Sequence, residues 1–541
     1  MPIQIYFAKI RQAFKSIDWK LLLFLLLFLN VKLIVKVAAI VLIYLLQFNF
    51  KFGFHWRNSR LPLFYPIVIA IGILNWFLLA GFNDTNYTVA FLTGIFFWAL
   101  CILAVHQVKL FIEQNSPAVI HQTITVFFLL NALVSLIVFF GIIVKTGTIN
   151  PYLYQGEYQK YFIGTGDYIR GISFDTSTTN AVLNAFGVIF FLMRKNALMV
   201  LLCMIILLLT GSNLTNFLLA ATLLFIFIFQ SDKNQKSVII ICFLFLVIFL
   251  AKISPQNNNY VANNLGAIFK KPVQEQIQYA NILSIRERPD STLSPDERKE
   301  KIATLYLDSL YRLREEYQQK IIAKDNFFSG KIAIPTADIN TLPYQHKSIV
   351  TPVQKKMSEF IRLRSSELPI SSDTNYHSKL PGKVIALQQT VNFFKQNPFK
   401  IFSGTGVGNF SSKLAFKTAG FNVAGGYPEK YLYLNPAFVS NHLDLYLYYF
   451  TKEDGRHSII NNPNSVYDQL LSEYGLLGLA TFIIFYLGFF IKKFKVASYG
   501  IPLIAFLSAI FFVDYWFEQL SIVVFFELLF FLNLKESAKK P

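Results

Sequence analysis

The sequence predicts an all-α polytopic membrane protein, with about twelve transmembrane helices and one large, mostly helical loop domain on the periplasmic face. Three observations carry this. Hydrophobic residues make up 54% of the 541 positions and the mean hydropathy is +0.45, too apolar for a soluble chain of this length. Bilayer-length apolar runs recur through residues 1–253 and again through 466–541. Between them, residues 254–465 are mostly polar and form the only stretch long enough for an extramembrane domain.

The clear runs lie near 62–82, 88–106, 119–145, 176–194, 197–211, 214–230, 237–253, 466–491, 497–513 and 517–534. The segment near 19–48 is longer and is interrupted by Asn30, Lys32 and Lys36. Orientation decides how it is read. Placing the basic loops 51–60, 193–196, 232–236 and 492–495 and the tail 535–540 on the cytoplasmic side gives a consistent alternation. The acidic turns Asn83-Asp84 and 514–518 then fall on the other side. The basic N-terminus, with Lys9, Arg11 and Lys15, joins the cytoplasmic side only if 19–48 crosses twice. Both termini are then cytoplasmic, and two loops face outward, 147–175 and 254–465.

The formal net charge of +19 follows from this distribution, since much of the excess sits in short loops beside apolar runs. It does not point to nucleic acid. Cys101, Cys203 and Cys242 all fall within apolar runs, so they build neither a disulfide framework nor a CxxC metal site. The first apolar run lacks a small-residue cleavage site, so no cleavable signal peptide is expected.

The large loop reads as folded. Ser294-Pro295-Asp296-Glu297 is a capping-box start, and Ile302, Tyr306, Leu310, Leu313, Tyr317 and Ile321 then mark one apolar helical face. Further helices are expected over 351–364 and 383–396, the latter stopped by Asn397-Pro398. Residues 427–449 carry six tyrosines, readable either as an interfacial aromatic belt or as a platform for stacking sugar rings.

Candidate chemistry gathers between Lys400 and Gly478, where polar, aromatic and carboxylate groups meet the membrane boundary. Gly404-x-Gly406-x-Gly408-Asn409 lacks the spacing of a dinucleotide fingerprint, but its backbone amides can form an anion nest, with Lys413 and Lys417 close by. In the outer loop, Arg170 follows Gly164-Thr165-Gly166-Asp167 at a surface that charge sorting keeps poor in arginine. A guanidinium there suits phosphate, or a salt bridge to Asp167 or Asp175. His442 and His457 are candidate general bases near the re-entry point. His442-x-Asp444 with His457 makes no recognised metal motif, and no metal is expected. Glu473 lies inside the apolar run after the loop, where a carboxylate is costly unless partnered. Glu527 carries the same argument deeper in the last run.

Taken as a set, these residues resemble the O-antigen ligase and O-antigen polymerase superfamily of bacterial membrane glycosyltransferases. Lys383 to Phe410 is similar to that family's helix-plus-glycine segment, and Asn464 to Gly478 to its loop-exit pattern. Arg170-Gly171 with Phe174 and Asn180 is similar to its stretch leading into a span. Two departures stand out: Asn464 falls where the ligase pattern has a histidine, and Asn213 where it often has arginine. Asparagine takes no proton from a hydroxyl at neutral pH. Either His457, His442 or Glu473 replaces the base, or the chemistry differs.

The resemblance implies a metal-independent inverting transferase of the inner membrane that needs no cofactor. Its donor would be a polyprenyl-diphosphate-linked glycan, and its acceptor a glycan or a lipid-linked molecule. In this reading Arg170, Lys413, Lys417 and the loop of Gly404, Gly406, Gly408 and Asn409 bind the diphosphate. Asn464 and Tyr467 orient the substrate. The rivals are a transporter or flippase with a similar number of spans, and an inactive scaffold of a polysaccharide assembly complex.

Overall fold

A computed structural model describes residues 16–154, 158, 163–254, 381–419, 427–439, 442, 463–492 and 498–538. Among them every regular element is a helix. The helices expected from Ser294 and over 351–364 lie outside the described residues, as do His457 and much of the tyrosine-rich segment.

The segment 19–48 forms two helices, α1 (Trp19–Phe28) and α2 (Leu33–Leu46). Asp18 caps α1 by accepting from the amides of Lys20 and Leu21. Lys20 Nζ returns to Leu46 O at 3.4 Å, so the two helices form a hairpin. Its turn docks on the 171–175 loop, where Val31 N–H donates to Ser173 O. The helices that follow are α3 (Phe64–Leu78), α4 (Thr85–Gln114), α5 (Pro117–Thr146), α6 (Ser177–Met193), α7 (Ala197–Leu209), α8 (Asn213–Phe229) and α9 (Lys233–Ile248). Their limits are set by local chemistry. Asp84 and Thr176 cap α4 and α6, Ser116 with Pro117 starts α5, and Asp232 with Gln235 makes a capping box on α9.

Among the described residues four helical stretches are both long and apolar enough to cross a membrane: Thr85–Gln114, Pro117–Thr146, Lys233–Ile253 and Val466–Ile491. Seven further apolar helices are shorter, of 10–17 residues. On α5 the exposed Leu129, Leu133, Ile137, Phe140 and Val144 recur every three or four residues, an apolar stripe facing outward from the bundle.

The large loop contributes α10 (Gly382–Gln396) and α11 (Lys413–Thr418), and α10 ends at Asn397-Pro398 as expected. The chain closes with α12 (Val466–Thr481, running on to Ile491), α13 (Gly500–Ile510) and α14 (Ser521–Ser537). Helix α14 is buried from Ser521 to Asn533 and packs against α4, α5, α6 and α13, so the bundle is built around its last helix.

Polar side chains gather at two ends of the bundle. At one end Arg60 forms a forked pair with Glu113, Arg194 and His121 meet Glu536, and Lys535 caps the last carbonyls of α4. Of these, Arg60, Arg194, Lys535 and Glu536 come from loops that the sequence places together on one side. The opposite end carries the α1–α2 turn, the 163–176 loop, α10, α11 and the acidic turn 511–519.

Candidate functional site

The site forms where the end of the large loop seats on the N-terminal part of α12. That helix is interrupted at Gly475, whose backbone (φ +70°, ψ −168°) is open only to glycine. A Cβ there would lie 2.2 Å from Phe402 O. The interruption leaves the carbonyls of Ser472 and Glu473 without helical partners, and the loop supplies them. Thr405 N–H donates to Ser472 O at 2.9 Å, and Gly406 N–H to Glu473 O at 3.0 Å.

The same loop closes over the Glu473 side chain. Gly408 N–H donates to Oε2 at 2.8 Å, while Phe410 and Ser412 N–H donate to Oε1 at 3.1 and 3.0 Å. Gly404 N–H is bonded to Lys400 O and Asn409 Nδ2 to Thr405 O. The glycine loop is therefore an anion nest in geometry, and the anion it holds is the chain's own carboxylate. None of the three glycine amides is free for a phosphate. Glu473 is fully buried, with both oxygens engaged, which explains how a carboxylate is accommodated inside an apolar run and gives it a structural role.

One turn before Glu473, Asp468 organises a second cluster. Its Oδ1 accepts from Thr390 Oγ1 at 2.6 Å, and its Oδ2 lies 3.2 Å from His442 Nε2. His442 Nδ1 lies 3.1 Å from Gln389 Oε1, and the Phe410 ring meets the imidazole edge-on at 4.7 Å between centroids. This brings His442 into a histidine–carboxylate pair, with α10 and α12 each supplying one partner.

Asn464 faces another carboxylate, its Nδ2 lying 3.3 Å from Asp514 Oδ1, and its carbonyl accepts from Lys383 Nζ. Lys383 also donates to Val513 O at 2.8 Å, so one ammonium joins α10 to the start of α12 and to the acidic turn. Burial pulls the Lys383 amine down to about 7, against Asp514 and Asp468, which hold it up. Tyr467 is spent on packing: its hydroxyl donates to Ser508 O at 2.7 Å and its ring lies 4.3 Å from Phe512.

The cations expected to meet phosphate fall in two places. Lys413 and Lys417 lie one turn apart on α11, half-buried, and make no hydrogen bond or ion pair among the described residues. Burial and the neighbouring Lys413 lower the Lys417 amine. Arg170 is exposed, with Nε donating to Asp167 O at 3.2 Å and its guanidinium 5.8 Å from the Tyr168 ring centre.

Sequence reasoning missed Asp468, Gln389, Lys383 and Asp514. Asp468 lies within the Asn464–Gly478 segment, five residues before Glu473, but nothing in the sequence signals its pairing across the loop. No group of three or more histidine, cysteine or acidic side chains suited to a metal occurs among the described residues. No family model, curated protein or solved structure matches the chain.

Proposed function

We propose that the chain is a membrane glycosyltransferase that moves a glycan from a polyprenyl diphosphate carrier to an acceptor hydroxyl at the outer face of a bacterial inner membrane. The observation that supports this most directly is the His442–Asp468 pair, its carboxylate set on a helix that is broken at Gly475. Of the three base candidates, Glu473 is clasped by amides and His457 lies outside the described residues. His442 has the orienting carboxylate that a general base needs.

In the proposed step Asp468 accepts from His442 Nε2–H and fixes the ring, and Nδ1, which faces Gln389 Oε1 in the structure, takes a proton once it is unprotonated and that oxygen has moved away. The acceptor hydroxyl displaces Gln389 Oε1 from Nδ1 and gives its own proton to that nitrogen. Its oxygen bonds to the anomeric carbon as the bond to the diphosphate oxygen breaks. The diphosphate leaves with the electron pair, and Lys413, Lys417 and Arg170 stabilise the departing charge. Reaching the ring requires Phe410 to move aside.

The test is a clean deletion strain in which surface polysaccharide and lipid-linked intermediates are extracted and sized. Accumulated single repeat units without long chains identify a polymerase. Full-length chains left on the carrier identify a ligase. An unchanged profile rejects the proposal.

A further inference from the structure

The segment Phe48-Asn49-Phe50-Lys51-Phe52-Gly53-Phe54-His55-Trp56-Arg57 alternates aromatic residues with polar, basic or glycine residues. In an extended backbone that period puts the two kinds on opposite sides. The structure keeps the aromatics together as a ladder. Ring centres are 5.0 Å apart for Phe48 and Phe50, 6.4 Å for Phe50 and Phe52, and 6.1 Å for Phe52 and Phe54. The segment belongs to no helix, yet it is held in place. Lys51 O accepts from Arg60 Nη1 at 2.5 Å and lies 3.2 Å from His106 Nε2, and Arg60 N–H donates to Gly53 O at 2.9 Å. Arg60 is fixed in turn by Glu113, and the Phe52 ring lies 4.5 Å from the buried His106 ring.

This anchored segment turns large apolar rings outward: Phe48 is 81% exposed, Phe50 52% and Trp56 75%. Both ends of the ladder run into exposed apolar surface. Phe48 follows Leu45 and Leu46 at the end of α2, and Trp56 lies 5.3 Å from Phe485 on α12, next to the exposed Ile483 and Ile484. That helix is long and apolar enough to cross a membrane, so lipid against its exposed face reaches the ladder as well. The polar side of the segment has a matching character. No acidic residue occurs between Gln47 and Arg60. Lys51, His55 and Arg57 are exposed, and their side chains make no hydrogen bond or ion pair among the described residues. Unpaired cations interleaved with aromatic rings suit a bilayer interface, where rings settle at headgroup depth and basic side chains attract anionic headgroups.

We propose that residues 48–57 form an interfacial anchor that binds anionic phospholipid. Phe48, Phe50 and Trp56 enter the boundary between headgroups and acyl chains, and Lys51 and Arg57 meet headgroup phosphates. The anchor lies at the end of the bundle that carries the Arg60–Glu113 pair, away from His442 and Asp468. It therefore stands whichever reaction the protein performs.

Trp56 supplies the probe. The full-length protein is placed in nanodiscs of equimolar phosphatidylcholine and phosphatidylglycerol, with bromine carried on the chains of one lipid or of the other, and tryptophan quenching is measured. The difference between wild type and Trp56→Phe isolates Trp56 from the remaining tryptophans. Its signal should be quenched by both lipids and more strongly by brominated phosphatidylglycerol, reflecting an about fivefold local enrichment of anionic lipid per basic side chain. Lys51→Gln/Arg57→Gln should bring the two quenching levels together without abolishing either. A Trp56 signal that neither lipid quenches would mean that protein covers the ladder, and would overturn the proposal. Equal quenching by both lipids in wild type would leave a plain apolar face without headgroup recognition, and a preference that survives in the double variant would exclude the two cations; either result rejects the site. If the double variant does not fold, salt decides in wild type: a preference for phosphatidylglycerol that collapses at high ionic strength upholds the site, and one that salt does not move rejects it.

Discussion

Gly408 N–H donates to the Glu473 carboxylate at 2.8 Å, so a loop of the large polar segment is locked to a long apolar helix by that helix's own charge. Hydrogen bonds to an ionised acceptor contribute about 1.5–3 kcal/mol each, and here three amides share one carboxylate. Glu473→Gln keeps the shape but turns an NH2 group towards amide donors. The expected outcome is a fall in detergent Tm and loss of glycan transfer together, with Glu473→Ala no worse than Gln. A Glu473→Gln protein with wild-type Tm and a selective kcat defect would instead return Glu473 to the base candidates.

The same clasp makes a prediction about backbone. A Cβ at Gly475 would lie 2.2 Å from Phe402 O, and one at Gly404 would lie 2.4 Å from the backbone carbon of Glu473, both at positive φ. Gly475→Ala and Gly404→Ala should therefore each reduce the amount of folded protein recovered from membranes. Gly141→Ala is the control, because a Cβ there meets nothing within 4 Å. Equal recovery of all three would show that the clasp is not needed for assembly.

His442 and Asp468 give the sharpest test of chemistry. Removing a general base typically costs a factor of about 10²–10⁴ in rate. His442→Ala and Asp468→Asn should each lower glycan transfer by that order in a membrane assay with lipid-linked donor, with donor binding retained. Activity within a few-fold of wild type in His442→Ala would pass the role to His457 or to a mechanism without a histidine base.

Much of the architecture was legible in the sequence, because membrane insertion writes itself locally: apolar length, caps and loop charge need no knowledge of distant residues. That is why the break near Lys32 and the grouping of Arg60, Arg194 and Lys535 at one end were readable. The site was less so. Gly404, Gly406 and Gly408 announced a nest, and Glu473 announced a costly carboxylate, but only the fold shows that each is the other's partner. Lys383 was invisible as a functional residue, since a lysine at a loop-helix start normally reaches solvent, and its burial depends on α12 and the acidic turn arriving from 81 and 130 residues away.

Arg170 separates a recognition role from a structural one. Its side chain is exposed and its bonding stays within its own turn, to Asp167 O. Arg170→Ala should leave Tm unchanged and remove polymer formation while the protein remains inserted. Normal polymer in that variant would remove Arg170 from the donor site, without touching the roles of Lys413 and Lys417.

Lys383 links stability to pH in a direction opposite to that of an ordinary paired lysine. Its folded pKa, about 7, lies below its unfolded value near 10.5. Between those limits the unfolded chain holds the extra proton, so stability contributed by this group rises with pH. The slope approaches about 1.4 kcal/mol per pH unit between roughly pH 7 and 10 and vanishes below 7, where both states are protonated. Lys383→Met should abolish that component while leaving the carbonyls of Asn464 and Val513 unsatisfied, so the variant melts lower at high pH. Below pH 7 the comparison shifts in its favour, because wild type then carries a buried charge there. The measurement is the difference in Tm between wild type and Lys383→Met across pH 6 to 10. A difference that stays flat across that range would mean that Lys383 is solvated and that its bonds to Asn464 and Val513 do not hold α10 in place.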